Sequence, residues 1–525
     1  MSSLSRRQAL AAALAGAGAV PAMAAPQFGQ GLEGQRRADL GKGWFRNPVV
    51  PGDHADPTVL KDGSDYYLTF SSFQSYPGAV IWHSTDLVNW TPLTAALQQP
   101  IGTVWAMDLV KHEGRYFLYI PVLQPQRMAI YVIHADQIRG PWSAPIDLQI
   151  DGCIDPGHAV GEDGRRYLFV NGGRRVRLSS DGLRTDGPVQ ANAWTPWQYP
   201  ADWVVEMYAP EGPKLFRRGA WYYLVSAVGG TAGPATSHMV TVARSRSIDG
   251  PWEHCPHNPI VRTRSADEPW WSRGHASVVE GPGGDWWMLY HGYENGFRTL
   301  GRQTLLEPIE WTADGWFRAK GGTLDKPLPK PRGGKAGPAG ATLSDDFSRS
   351  RLGLQWSFHA PGADEAARLK HGEGGLAMRA KGKALADCSP LCCIVGDRSY
   401  EVEVELEVEG EAHGGLALFY DERGHAGLGF SRSEMLTYGY GQEQGWMREK
   451  RAAGPVRIKL RNRENVLTWW TSTAGQDWKQ YGWQMEVSGL HHNVFGGFLA
   501  LRVALFSAGQ GEVRFRRFIY RGLPA

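Results

Sequence analysis

Asp62-Gly63-Ser64-Asp65-Tyr66-Tyr67-Leu68 is a polar turn around a glycine that runs straight into an aromatic strand. The same pattern returns as Glu113-Gly114-Arg115-Tyr116-Phe117-Leu118 and as Asp163-Gly164-Arg165-Arg166-Tyr167-Leu168. It returns twice more, as Arg218-Gly219-Ala220-Trp221-Tyr222-Tyr223-Leu224 and Gly283-Gly284-Asp285-Trp286-Trp287-Met288-Leu289. The turn glycines stand at 63, 114, 164, 219 and 284, so they are 51, 50, 55 and 65 residues apart. Each copy has the chemistry of a hairpin, with glycine in the turn and aromatic or branched residues in the strand. A second pattern follows three of them: Ser84-Thr85-Asp86-Leu87-Val88-Asn89-Trp90, Ile138-Arg139-Gly140-Pro141-Trp142 and Ile248-Asp249-Gly250-Pro251-Trp252. It reads as the link from a third strand to an outer one. Five all-β copies at this period predict a five-bladed β-propeller over 40–325. The competing reading is a sandwich with coincidentally similar turns.

Outside the repeats the texture changes twice. Residues 326–343, KPLPKPRGGKAGPAGATL, crowd Pro, Gly and Lys without a strand pattern and read as a linker. In the following stretch Tyr400, Val402, Val404, Leu406 and Val408 alternate with Glu401, Glu403, Glu405 and Glu407. Strands of this kind bury one face and wet the other, which predicts a concanavalin-like or jelly-roll β-sandwich over 344–525.

The N-terminus reads as an address. Ser5-Arg6-Arg7-Gln8 leads an Ala/Leu/Gly run that ends at the small-residue site Ala22-Met23-Ala24. Residues 1–24 are therefore expected to be an export signal of twin-arginine type, or else an ordinary secretory signal, sending the protein to the periplasm or medium. The formal charge of +3 falls to near +1 without Arg6 and Arg7. Such a balance gives no reason to expect a nucleic acid or membrane partner. Five cysteines without metal-ligand spacing predict buried thiols rather than disulfides. Twenty-two tryptophans suit either a core or sugar stacking.

Reading back from each turn glycine reaches the residues that a propeller would aim at its axis. They are Asp56, Asp108, Asp155, Glu211 and His275. Clustered carboxylates repel each other and shift each other's proton affinity, so a fold keeps such a set mainly for chemistry or metal binding. Hydrolysis of a glycosidic bond needs one ionised carboxylate to activate water and one protonated carboxyl for the leaving oxygen. The bland alternative is that the Asp-Pro pairs open turns.

The motifs in chain order resemble glycoside hydrolase family 43. They are Asn47-Pro48-Val49 through His54-Ala55-Asp56-Pro57, Trp105-Ala106-Met107-Asp108, Ile154-Asp155-Pro156, Glu211-Gly212-Pro213-Lys214, Gly229-Gly230-Thr231, Ser237-His238-Met239, Gly274-His275-Ala276 and Leu300-Gly301-Arg302-Gln303. The resemblance implies Asp56 as general base, Glu211 as general acid, Asp155 as modulator of the acid, and inversion at the anomeric carbon. It further implies Arg302 as a sugar-hydroxyl donor and His275 near a central Ca2+ or its waters. Met107 stands where the family often has proline. Asp345-Asp346-Phe347 with Trp356 resembles the C-terminal sandwich of the xylosidase-type members, which packs on the propeller and can lend a loop to the rim.

Further contacts stay open at this level. Asp108 is a candidate hydroxyl ligand or a salt-bridge residue, His238 a sugar contact or a structural histidine, and Phe73 with Trp105 an apolar wall or core. Glu206 competes with Glu211 as the acid. The expected activity is exo-acting release of terminal β-D-xylose, α-L-arabinofuranose or both from plant cell-wall oligo- or polysaccharides such as xylan. A galactan-directed exo-glycosidase and a non-catalytic carbohydrate-binding propeller are the alternatives. A retaining enzyme of the invertase type is disfavoured because Ile154, not Arg, precedes Asp155.

Overall fold

The computed structural model describes residues 28–372, 374–473 and 476–524. The expected export signal lies outside them.

The chain is all-β. Five separate antiparallel sheets follow one another through 58–97, 103–151, 157–178, 211–262 and 270–319. Apart from the two-residue strand Thr103–Val104 that opens the second sheet, their first strands are β1 (Thr58–Asp62), β2 (Asp108–His112), β3 (Gly157–Val160), β4 (Glu211–Arg218) and β5 (Trp270–Glu280). The five repeated glycine turns each close the first hairpin of a sheet, at Asp62↔Asp65, His112↔Arg115, Val160↔Arg166, Arg218↔Trp221 and Glu280↔Trp286. The second repeated pattern bridges the third and fourth strands of the first, second and fourth sheets. The third sheet has only three strands. In place of a fourth, 179–210 crosses to β4 without regular strands.

These first strands sit side by side in a ring: β1 against β2, β2 against β3, β3 against β4, β4 against β5, and β5 back against β1. Close approach at this ring demands small residues. A Cβ at Gly157 would lie 1.8 Å from the Pro213 carbonyl oxygen. Aromatic and branched side chains fill the space between neighbouring sheets, as with Leu109, Leu118 and Ile81 between the first two.

The second part is built on two long strands, β6 (Ser399–Asp421) and β7 (Arg502–Gly522), paired along most of their length. Tyr400, Val402, Val404, Leu406 and Val408 are all buried, while Arg461 and Arg516 meet the intervening glutamates on the other face. The two parts share structure. Ser75–Tyr76 of the first part pairs with Trp356–His359 of the second. The segment expected to be a featureless linker is docked: Leu328–Pro329 pairs with Trp44–Phe45, and the Gly340 N–H donates to the Trp90 carbonyl at 2.8 Å. All five cysteines are buried and unpaired.

Candidate active site

The ladder register decides which residues reach the axis end. Thr58↔Thr69, Gly157↔Phe169, Lys214↔Val225 and Ser277↔Leu289 are corresponding pairs. Two residues before each stand Asp56, Asp155, Gly212 and His275. All four have left-handed backbones, with φ of 58°, 55°, 60° and 58°. In the second sheet the corresponding pair is Asp108↔Tyr119, and two residues earlier stands Ala106. Asp56, Ala106, Asp155 and His275 line one pocket together with Glu211 and Arg302.

Asp108 therefore belongs one layer below. It is 5% exposed and does not line the pocket. Its carboxylate accepts from Lys214 Nζ at 2.8 Å, from Thr58 Oγ1 at 3.0 Å and from the His158 N–H at 2.7 Å. Lys214 also donates to the carbonyls of Met107 and Pro156, at 2.8 and 3.0 Å. This salt bridge ties four of the five sheets at the axis. The structure places Asp108 in that staple and not at a substrate-facing position.

Asp56 is held by charge. Arg302 Nη1 donates to Oδ1 at 2.8 Å and Ser71 Oγ to Oδ2 at 2.5 Å. His291 Nδ1 lies 3.0 Å from Oδ1 and His275 Nδ1 3.5 Å from it. Burial alone would raise its proton affinity. Arg302, His275 and His291 outweigh burial and hold the carboxyl well below the ordinary carboxylate range. Asp155 is as deeply buried, with the Gly212 N–H on Oδ2 at 3.0 Å. Burial, then the Asp56 charge, push it up to about 7. Glu211 is pushed well above its ordinary value by burial, then by the charges of Asp155 and Asp56. One pocket thus holds one carboxylate ionised beside two carboxyls whose proton affinity is raised.

Glu206 cannot play the part of Glu211 with its carboxylate so engaged. Its Oε2 accepts the Ala232 and Gly233 N–H groups, each at 2.8 Å, and shapes the 229–233 loop. His238 is fully buried, stacked on His291 with ring centroids 5.2 Å apart, and lies behind the pocket wall. Its nearest carboxylate contact is Glu211 Oε1 at 3.8 Å. Phe73 and Trp105 do line the pocket.

Sequence reasoning missed two participants, His291 and Phe498, and gave Thr231 no role beyond its place in Gly229-Gly230-Thr231. His291 sits inside the apolar strand Trp286–Glu294, where a fully buried polar residue was the available signal. Thr231 meets His291 Nε2 at 3.2 Å. Phe498 comes from the second part of the chain, with φ of 58°, and completes the wall. Its ring stacks near Phe73 (6.3 Å, 14°) and on His492 (4.1 Å), and the Arg302 guanidinium lies 5.2 Å from its centre. No pattern around Phe498 announces this.

The expected calcium can be tested on the donor set. Among the described residues, Glu211, His238 and His275 bring ligand atoms within 4.8 Å of one another. Two of the three are imidazoles, whereas calcium takes about six to eight oxygen ligands. Burial holds His275 down to about 3 and His238 well below its ordinary value, so both rings are neutral. This trio does not fit calcium. His275 Nε2 and both His238 nitrogens have no protein partner, which suits hydrogen bonding to water.

Residues 45–317 match the family model for glycosyl hydrolases family 43, and 344–521 match that for the beta xylosidase C-terminal concanavalin A-like domain. The non-reducing end alpha-L-arabinofuranosidase BoGH43B of Bacteroides ovatus is 27% identical over 509 residues, covering 89% of this chain and 92% of its own. The xylan 1,3-beta-xylosidase of a Vibrio species is 27% identical over 436 residues, 74% of this chain and 80% of its own. Among solved structures, the xylan beta-1,4-xylosidase of Bacillus halodurans C-125 superposes with a TM-score of 0.81 at 26% identity, over 91% of this chain and 99% of that one.

Proposed function

This chain belongs to glycosyl hydrolase family 43 and is a glycosyl hydrolase acting on carbohydrate, and we propose that it is an exo-acting, inverting enzyme that releases terminal pentose, β-D-xylose or α-L-arabinofuranose, from cell-wall oligo- or polysaccharides. The observation that carries this reading is the division of charge in one pocket, with Asp56 held ionised and Glu211 held protonated.

The ring of five sheets is read as a five-bladed propeller, with the pocket at one end of its axis. Asp56 acts as the general base. It takes a proton from the water that attacks the anomeric carbon; Arg302 and Ser71 hold its oxygens in place, and its backbone N–H donates to His291 Nδ1 at 3.1 Å. Glu211 gives its proton to the departing glycosidic oxygen. Asp155 carries a charge or a proton beside Glu211 and so sets how readily that proton leaves. Arg302 lines the pocket, where its planar guanidinium suits paired sugar hydroxyls. Phe73, Trp105 and Phe498 wall the terminal sugar on its apolar faces, and a walled end favours a single terminal unit over the middle of a chain. The names of the relatives, an arabinofuranosidase and xylosidases, support pentose as the sugar. Export by the twin-arginine route rests on Ser5-Arg6-Arg7-Gln8 and Ala22-Met23-Ala24. Among the described residues no helix is long and apolar enough to cross a membrane.

Proton NMR of the first product tests the mechanism: the released sugar should have the anomeric configuration opposite to the substrate, and a retained configuration overturns it. Glu211→Gln should lose turnover severely on natural linkages and recover part of it on nitrophenyl glycosides, whose leaving group needs no proton. Equal loss on both would remove Glu211 from the acid's role.

A further inference from the structure

The segment that replaces a fourth strand in the third sheet is dense in aromatics: Trp194, Trp197, Tyr199, Trp203 and Tyr208 fall within fifteen residues. It runs directly into Glu211 and contributes Glu206, Met207 and Ala209 to the pocket wall. Three apolar side chains on it face solvent: Val204 at 66%, Met207 at 56% and Tyr208 at 44% exposure. Met207 is thus both pocket wall and open surface. Large apolar groups left in water beside an active site have a use when a ligand covers them.

The segment is also held firmly. The Glu206 N–H donates to Ser237 Oγ at 2.7 Å, and Thr236 Oγ1 donates to the Val204 carbonyl at 2.9 Å. The Glu206 carboxylate clamps the Ala232 and Gly233 amides, while Asn493 of the second part donates to the Ala232 carbonyl from the other side. Tyr208 is fixed by its hydroxyl on the Pro196 carbonyl at 3.3 Å and by Tyr199, whose ring centre is 6.0 Å away. A surface whose side chains are already ordered loses little entropy when a ligand binds.

We propose that Met207 and Tyr208 form the leaving-group subsite, an apolar and aromatic platform for the sugar ring that departs when the terminal unit is cut. The inference rests on Glu211 being the acid. The proton of Glu211 must reach the scissile oxygen, so the departing ring lies on the Glu211 side of the pocket, where Glu206, Met207 and Ala209 form the wall and Tyr208, exposed between the last two, stands just outside it. Phe73 and Phe498, which line the same pocket with Arg302, are left for the terminal unit. A pyranose ring turns a patch of C–H groups to an aromatic or thioether surface, and that chemistry suits Met207 and Tyr208.

The test compares two substrates of the same terminal pentose: its disaccharide, which carries a departing ring, and its glycosyl fluoride, which does not. For Met207→Ala and Tyr208→Ala, the ratio of kcat/KM on the disaccharide to kcat/KM on the fluoride should fall about tenfold, while Met207→Leu keeps the ratio. Because each ratio is internal to one enzyme, partial misfolding does not alter it. An unchanged ratio in both alanine variants overturns the subsite. Failure of the unaltered enzyme on both substrates would instead strike the proposed function, so the two failures are distinguishable.

Discussion

Replacing Arg302 with methionine isolates the charge that keeps the base ionised. Methionine retains apolar bulk against Phe73 and Phe498, whose rings lie 5.7 and 5.2 Å from the guanidinium carbon. What disappears is a positive charge 2.8 Å from Asp56 Oδ1, in a place where the carboxylate is 6% exposed. An opposite charge at this range depresses a carboxyl by about 1–3 pH units, each worth about 1.4 kcal/mol. His275 and His291 remain, but burial lowers the proton affinity of both rings, so neither carries a fixed charge like the one lost. The acid limb of the kcat/KM profile, which reports the free enzyme's base, should therefore move up by about 1–3 pH units. Stability should follow with a defined sign. In the unaltered protein the depressed Asp56 contributes stability above the ordinary carboxylate range and loses it as pH falls through its folded value. The variant lacks that contribution, so its melting temperature should fall further behind as pH rises from 3 to 6. KM should rise too, since Arg302 faces the pocket, but that alone would not identify the partner of Arg302. An acid limb that stays where it was, in a folded variant, would refute the claim that Arg302 holds Asp56 ionised.

Asp108→Leu should cost about 3–5 kcal/mol in denaturant unfolding, because it leaves Lys214 charged and unpaired at the axis; activity lost at undiminished stability would return Asp108 to substrate contact. Asp155→Asn should gain stability relative to the unaltered protein as pH rises. A carboxyl raised to about 7 keeps its full contribution below the ordinary value near 3.8 and loses it up to its folded value. Melting temperatures between pH 4 and 7 measure this, and parallel curves would contradict it. Phe498→Ala should raise KM about tenfold on the smallest substrates by opening the wall that the second part supplies; an unchanged KM would make Phe498 a packing residue only.

Much of this site was legible because the repeat carries its own ruler. The glycine turns locate the first hairpins, and reading back from them finds Asp56, Asp155 and His275. The ruler fails by one or two residues where loops differ. Counting from Gly114 reaches Asp108 just as counting from Gly63 reaches Asp56, yet the ladder shows Ala106 to be the counterpart of Asp56 and Asp108 that of Thr58. Sequence spacing cannot see this, because the distance from strand entry to turn varies among the sheets. His291 and Phe498 escape for different reasons. His291 reaches Asp56 from the second strand of its sheet, where no repeat position flags it. Phe498 is nearly 200 residues beyond the last hub motif and meets the pocket only through the packing of the two parts.

The register also changes what Glu211 is. Asp56, Asp155 and His275 hold left-handed backbones, which non-glycine residues adopt at a cost of about 1–2 kcal/mol each. Two of the three, Asp56 and Asp155, stand before proline. In the fourth sheet the left-handed position before proline is Gly212, and the acid is one residue earlier. A Cβ at 212 would lie 3.0 Å from the His275 ring, tighter than an ordinary contact, so a side chain there would press on His275. Glu211 therefore enters the pocket from a neighbouring position, and its side chain keeps 21% exposure where that of Asp56 keeps 8%. The difference suits the chemistry. A base that stays fixed against one water gains from a strained, over-determined backbone. An acid that must follow a departing oxygen gains from a longer side chain on an unstrained residue, beside a wall open enough for the leaving sugar.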